Sequence, residues 1–184
     1  MSGVLSSEST VPQFITGFDE TEFVAVEEGK SVFVAADDTN IIGLPNTSDV
    51  ATGGNGTDIV QGNGGDDNLQ GAGGNDFVFG NDGDDILRGD EGDDVVVGGK
   101  GSDVLLSGPG TDVYEFFADQ VVEGDFDLIR DFELGSDSIV VVGSTNVDYN
   151  AQSGILSIDD IQVANLTAGL DLDVLTRSNS SVVF

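Results

Sequence analysis

Eight aspartates stand at a constant nine-residue step: Asp49, Asp58, Asp67, Asp76, Asp85, Asp94, Asp103 and Asp112. A carboxylate is a hard oxygen donor, and a periodic row of them is a row of cation ligands. The chain contains no His and no Cys, so metals that prefer nitrogen or sulfur lack a ligand set. Calcium takes roughly six to eight carboxylate and carbonyl oxygens in flexible geometry, whereas magnesium keeps its water, so calcium is the cation these donors suit. Backbone carbonyls must complete such a shell. Glycines accompany the aspartates at the same step, at Gly53, Gly62, Gly71, Gly80, Gly89 and Gly98 and again at Gly56, Gly65, Gly74, Gly83, Gly92, Gly101 and Gly110.

A third series, Val60, Leu69, Val78, Leu87, Val96, Leu105 and Tyr114, is apolar. Together the three spell GGxGxDxUx, with U apolar, and the clean copy is GGNGTDIVQ from Gly53 to Gln61. The stretch from Gly62 to Asp67, four of whose six residues are Gly or Asn, has backbone freedom that a tight turn can use. The first six residues of each copy are therefore expected to be turn. The last three, such as Ile59-Val60-Gln61, are expected to be a short strand whose middle residue faces inward. Two copies close one circuit of eighteen residues, with two sheets back to back. Each aspartate then lies above the one two copies earlier, roughly 4.8 Å away, and like carboxylates at that spacing call for a cation between them.

Composition agrees. Five basic residues against thirty-five acidic give a formal charge of -30 over 184 residues, which argues against nucleic acid or an anionic membrane as partner. Twelve aspartates and one glutamate lie between Gly53 and Asp112, balanced only by Arg88 and Lys100. Without metal that segment should repel itself and stay disordered, so folding and calcium binding are expected to be one event. There is no apolar run long enough to span a membrane. The opening MSGVLSSESTVPQF has neither a basic nor an apolar leader region, so no cleaved signal peptide is expected.

The nonapeptide resembles the calcium-binding repeat of RTX proteins, the hemolysin type. A second element supports the resemblance: Asp127-Leu-Ile-Arg-Asp131-Phe132-Glu-Leu-Gly135-Ser-Asp137-Ser-Ile139 is similar to the DxIxDFxxGxDxI segment that follows the repeats in that family. The closing SNSSVVF, Ser178 to Phe184, resembles the family's apolar C-terminal end, near an uncleaved type I secretion signal. The resemblance implies an all-β chain, a right-handed parallel β-roll with N-terminal and C-terminal β caps. It also implies export by the type I machinery to the outside of a bacterial cell, where calcium is plentiful. Residues 1 to 43 would be a polar tail and a β-hairpin cap, with strands at Glu22 to Val26 and Ser31 to Ala35 around Glu27-Glu28-Gly29-Lys30. Residues 44 to 115 would be the roll, degraded at its start where Thr47 replaces glycine. Residues 116 to 184 would be the C-terminal β cap, with strands at Ser138 to Val142, Ile155 to Ile158 and Ile161 to Ala164.

The family also implies ligand sets, in which carbonyls at repeat positions two and four join the position-six aspartate, and positions one and three join the aspartate two repeats on. The first set is then Gly54, Gly56, Asp58, Gly71, Gly73 and Asp76, and the second Asn63, Gly65, Asp67, Gly80, Asp82 and Asp85. The third is Ala72, Gly74, Asp76, Gly89, Glu91 and Asp94, and the fourth Asn81, Gly83, Asp85, Gly98, Lys100 and Asp103. The fifth, Asp90, Gly92, Asp94, Ser107, Pro109 and Asp112, departs from glycine at Ser107 and Pro109 but keeps its carbonyls. A further pairing, of Pro45, Thr47 and Asp49 with Gly62, Gly64 and Asp67, departs at Thr47. About five calcium ions are expected. Asp66, Asp84 and Asp93 are expected to remain solvated.

The outward strand positions carry a separate signal. On one sheet they are Ile59, Gln61, Phe77, Phe79, Val95, Val97, Val113 and Glu115; on the other, Asn68, Gln70, Ile86, Arg88, Val104 and Leu106. The first face is apolar enough to need cover, either from residues 14 to 43 or the C-terminal region as a second layer, or from self-assembly or a protein partner. There is no HExxH and no GxSxG, and the paired acids Asp159-Asp160 and Asp125/Asp127 read as acidic turn residues, so catalysis is not expected. Two roles remain: an extracellular structural, cell-surface or matrix component, or a secretion and folding module accessory to an enzyme or toxin.

Overall fold

A unit that is part strand and part turn must double back every second copy, and the chain does so. The computed structural model describes residues 14–16, 22–25, 31–34, 39–144, 146–166, 175–177 and 181–183, and among these all regular structure is β. The N-terminal strands are β1 (Phe14–Thr16), β2 (Glu22–Ala25), β3 (Ser31–Val34) and β4 (Ile41–Gly43). The repeats form β5 (Val50–Gly54), β6 (Ile59–Gly64), β7 (Asn68–Gly73), β8 (Phe77–Asp82), β9 (Ile86–Glu91), β10 (Val95–Lys100), β11 (Val104–Leu106) and β12 (Val113–Phe117). Beyond them lie β13 (Asp127–Ile129), β14 (Ser138–Val142), β15 (Val147–Asn150), β16 (Ile155–Ile158), β17 (Ile161–Asn165), β18 (Leu175–Arg177) and β19 (Ser181–Val183). No helix of the described residues is long and apolar enough to cross a membrane.

Even-numbered strands stack in one sheet, β4-β6-β8-β10-β12-β14, and odd-numbered ones in the other, β3-β5-β7-β9-β11-β13-β17, all parallel. This is a parallel β-roll. The pairing step is one circuit, as in Val60 opposite Val78 and Leu69 opposite Leu87. It already holds ahead of the repeats, where Ile41 pairs Ile59 and Val32 pairs Val50. It lengthens after them, where Leu105 pairs Ile129 and Tyr114 pairs Ile139. Antiparallel strands flank both ends: β1 on β4, β2 on β3, the β15-β16-β17 meander, and β18 with β19 beside β14. The N-terminal tail up to residue 13 and the turn Glu27-Glu28-Gly29-Lys30 lie outside the described residues, as do residues 178 to 180 and Phe184 of the closing segment.

The strands are longer than the three residues read from the repeat. β6 runs six residues, because the pairing to β8 resumes past Gly62, at Asn63 opposite Asn81 and Gly64 opposite Asp82. Identical backbone on successive turns lets even glycine-rich segments keep ladder hydrogen bonds. Asn63, Ala72, Asn81 and Asp90, all at repeat position two, have φ between 71° and 89°; Asn and Asp tolerate that left-handed conformation, and Ala72 is the costly exception.

The core is one inward row at nine-residue intervals, Ile42, Ala51, Val60, Leu69, Val78, Leu87, Val96, Leu105 and Tyr114, none more than 1% exposed. Ile129 and Ile139 continue it. With one inward apolar residue per repeat, each turn contributes little core of its own. Tyr114 ends the row with a polar tip: its hydroxyl donates to Asp131 Oδ1 at 2.7 Å and accepts the Ser107 N–H at 2.9 Å.

The outer face corrects one expectation. Strands β1 to β4 add to the sheet edges and do not fold over the apolar outer row, so Ile41 and Phe77 remain 41% and 42% exposed. Toward the C-terminal end the face is covered, and there Val97 is only 5% exposed.

Candidate metal centre

Position six of every repeat sits where a strand begins, and its side chain turns inward between the two sheets. Asp49, Asp58, Asp67, Asp76, Asp85, Asp94, Asp103 and Asp112 are all buried, none more than 3% exposed. One oxygen of each carboxylate is used by the fold. Asp76 Oδ1 accepts the N–H of Asp58 at 2.8 Å, Asp85 that of Asp67 at 2.7 Å, Asp94 that of Asp76 at 2.8 Å, Asp103 that of Asp85 at 2.8 Å and Asp112 that of Asp94 at 2.8 Å. Each turn is thereby tied to the next.

The other oxygen has no partner. Oδ2 of Asp58, Asp67, Asp76, Asp85, Asp94, Asp103 and Asp112 is buried without a hydrogen bond. Leaving a carboxylate oxygen dry and unpaired is costly, and here it recurs on seven successive rungs. In the six repeats that begin with glycine, from Asp58 to Asp103, this oxygen lies over the position-one glycine of its own repeat. A methyl group on Gly62 would strike Asp67 Oδ2 and come within 2.8 Å of the Gly80 carbonyl oxygen; on Gly80 it would strike Asp85 Oδ2 and approach the Gly98 carbonyl to 2.6 Å. The same convergence joins Asp58 with Gly71, Asp76 with Gly89 and Asp94 with Ser107. Position-one glycine is thus required for space, since its φ is ordinary. Position-four glycine is required for conformation as well: Gly65, Gly74, Gly83, Gly92 and Gly101 have φ from 110° to 139°.

The structure therefore brings a free carboxylate oxygen and a carbonyl oxygen together in each of the five expected pairs. Carbonyls of Gly56, Gly65, Gly74 and Gly83 face position four of the next turn, and those of Asn81 and Asp90 face Gly99 and Gly108. The position-three carbonyls of Asp82, Glu91, Lys100 and Pro109 already accept the N–H of Gly65, Gly74, Gly83 and Gly92, at 2.9, 2.8, 2.9 and 3.4 Å, which leaves one lone pair on each. No three carboxylates converge among the described residues, so any cation here depends on main-chain oxygens. All donors are oxygen, which fits calcium. At the degraded first repeat the Thr47 hydroxyl donates to Asp49, lying 3.2 Å from Oδ1 and 3.0 Å from Oδ2, and Asp49 is absent from the row of orphaned oxygens.

Electrostatics follow from the burial. Desolvation pushes the Asp67, Asp94 and Asp103 carboxyls up to about 7, with the carboxylates on adjacent turns adding to it and the inter-turn N–H bond opposing it. Asp76 and Asp85 are pushed to about 6 by the same burial, and Asp58 and Asp112 are also raised. A divalent cation would reverse this by favouring the charged form.

Several participants were not read from the periodicity. Asn40 caps one ladder, donating its N–H and its side-chain amide to Asp58 Oδ1 at 2.6 and 2.9 Å without adding charge. Asp127 Oδ1 accepts the Asp103 N–H at 2.9 Å and Asp137 Oδ1 the Asp112 N–H at 3.3 Å, so both occupy aspartate rungs. Their signal was present in Asp127-Leu128-Ile129 and Asp137-Ser138-Ile139, which repeat the D-x-U of Asp58-Ile59-Val60, but at steps of 24 and 25 residues. Position five forms an outer ladder: Asp66, Asp84 and Asp93 are exposed as expected, yet each accepts the N–H of the residue one turn on, Asp84, Ser102 and Thr111, at 3.1, 2.8 and 2.9 Å.

A parallel β-roll whose inter-turn gaps present free carboxylate and carbonyl oxygens is a calcium-binding solenoid. Residues 52–87 and 79–114 match the family model of the RTX calcium-binding nonapeptide repeat, described as four copies. The chain therefore carries RTX calcium-binding repeats, of the hemolysin type. No curated protein matches it.

Proposed function

We propose that this chain is an extracellular structural protein, at the cell surface or in a matrix, whose roll folds as calcium binds. The observation that carries the reading is the row of seven buried aspartate oxygens with no hydrogen-bond partner. Metal-free, those rungs cost desolvation and mutual repulsion; with calcium between turns, the same charges bind the turns together. The ligand sets are the five given above, each built on one convergent carboxylate–carbonyl pair. Low-affinity extracellular calcium modules work where the ion is abundant, which suits type I export followed by folding outside the cell. The β2-β3 hairpin and the β15-β16-β17 meander act as caps on the roll, protecting its open edges. No catalytic step is assigned to the chain. The exposed outer row containing Ile41 and Phe77 favours a contact role over that of a solitary folding module.

The test is a calcium titration of the chelated chain followed by far-UV circular dichroism and light scattering. β-structure should appear with calcium, and particle size should rise past the monomer. Full β-structure in excess chelator would sink the coupled-folding reading, and a strict monomer at saturation would favour the accessory-module role.

A further inference from the structure

Two asparagines of the chain are followed by glycine, Asn55 and Asn63. In such a pair the glycine nitrogen can attack the asparagine side-chain carbonyl carbon, because no Cβ shields it. A C–N bond forms, the side-chain nitrogen leaves as ammonia with the proton of the glycine N–H, and a five-membered imide results. Water then opens the imide. Opening at the side-chain carbonyl gives aspartate; opening at the main-chain carbonyl gives isoaspartate, in which the backbone runs through Cγ and is longer by an atom. Water is the only co-reactant.

The folded roll holds Asn63 where this reaction is blocked. Asn63 is open to water, but its Nδ2, the leaving group, donates to the Leu44 carbonyl at 2.5 Å. Its backbone lies within β6 at φ 71°, with Asn63 opposite Asn81 and Gly64 opposite Asp82, and the Gly65 N–H donates to the Asp82 carbonyl at 2.9 Å. Gly64 is buried, with Asn46 of the preceding turn and the Asp82 carbonyl of the next both 3.6 Å from the place a Cβ would take. Closing the ring brings the Asn63 Cγ onto the Gly64 nitrogen, so the bond to Leu44 must break and the ladder to β8 must open. Each of these restraints comes from a neighbouring turn, and all are lost with the roll. Asn55 is placed differently, just beyond β5, which ends at Gly54.

We propose that Asn63 is a site of spontaneous deamidation, closed by calcium-driven folding and open in the metal-free chain, so that a chain left without calcium is permanently marked in β6. This rests on the coupling of folding to calcium and adds a covalent consequence to it. The two products differ in effect. Aspartate fits, since Asp90 holds the same repeat position at φ 75°. Isoaspartate lengthens the main chain between the Asn63–Asn81 and Gly64–Asp82 pairs, which throws the rest of β6 out of step with β8. Asn63 and Gly65 both belong to the second ligand set, so a chain carrying isoaspartate there loses that ion as well.

The experiment ages the full chain at neutral pH in excess calcium and in chelator. Conversion at Asn63, Asn55 and Asn81 is followed by peptide mapping with electron-transfer fragmentation, which separates aspartate from isoaspartate. Asn81 holds the same repeat position but precedes Asp82, and serves as the slow reference. Conversion at Asn63 should be fast in chelator and at least about tenfold slower in calcium, the factor that an opening cost of about 1.4 kcal/mol imposes. After calcium is restored, the folded fraction isolated by size exclusion should be depleted of isoaspartate at position 63. Gly64→Ala, which has room for its methyl group, should slow conversion at Asn63 in chelator and leave Asn55 unaffected. Equal rates at Asn63 in calcium and in chelator, where circular dichroism shows the chelated chain unfolded, overturn the proposal, as does an Asn63 that is inert there while Asn55 reacts. β-structure that persists in chelator overturns the coupled-folding reading instead; Asn63 must then stay intact in chelator and react once guanidinium unfolds the chain.

Discussion

Asp76→Asn should stabilise the metal-free roll and destabilise the calcium-loaded one. The amide keeps the geometry: its Oδ1 can accept the Asp58 N–H as the carboxylate does at 2.8 Å, and its NH2 takes the place of the orphaned Oδ2, facing the Gly89 carbonyl. Without metal, burial pushes the Asp76 carboxyl from 3.8 up to about 6. A shift of about 2 units at 1.36 kcal/mol each makes the ionised group cost about 3 kcal/mol at pH 7.5, and the amide removes that cost. With calcium the balance reverses, since two of the proposed ligand sets share Asp76. At an ion concentration 100 times the dissociation constant a site contributes about 2.7 kcal/mol, so losing two costs about 5 kcal/mol. The assay is guanidinium unfolding followed by circular dichroism. It would be run in excess calcium and again in chelator, with enough trimethylamine oxide to hold the wild-type chain half folded. The two curves should cross: the variant weaker with calcium, stronger without. A variant that is weaker in chelator as well would refute the claim that buried negative charge is what opposes metal-free folding.

The same charges set the pH response of the metal-free chain. Asp67, Asp94 and Asp103 sit near 7 in the folded form against 3.8 unfolded, so the folded form holds more protons. Its stability is fully present below about pH 4 and is lost as pH rises through about 7. Acidifying the chelated chain from pH 8 to 5 should therefore increase β-structure by circular dichroism, and a decrease would contradict the sign. A pair of glycine substitutions, both at ordinary φ, separates a crowded position from an open one. Gly80→Ala, whose methyl meets Asp85 Oδ2 and the Gly98 carbonyl, should abolish at least one ion in calorimetry. Gly64→Ala, whose nearest neighbours stand at 3.6 Å, should bind the full number.

Much of the roll was legible because each of its features repeats at the spacing that builds it. An inward residue every nine positions can only come from strands separated by equal turns, and Val60 through Tyr114 obey it. The length of the strands was not legible, since glycine and asparagine in Gly62-Asn63-Gly64 suggest turn by local preference. Pairing to Asn81 and Asp82 on the neighbouring turn overrides that preference. The outer row was read as a face in need of cover. β1 to β4 extend the sheets instead, because Ile41 and Val32 keep the same circuit step as the repeats.

The sequence by itself determined the coil, the inward row and an oxygen-only donor set, because periodicity and the absence of His and Cys are properties of the chain alone. Tertiary structure decided which oxygen of each aspartate is free. That depends on an N–H one circuit away, and the choice between Oδ1 and Oδ2 exists only once turns are stacked. It also decided how the ladders end. Asn40, Asp127 and Asp137 join them through residues 18, 24 and 25 positions apart, and at the last two steps the fixed spacing gives way to whatever length of chain closes the turn. A period announces its own interior, but its boundaries are set by the contacts that interrupt it.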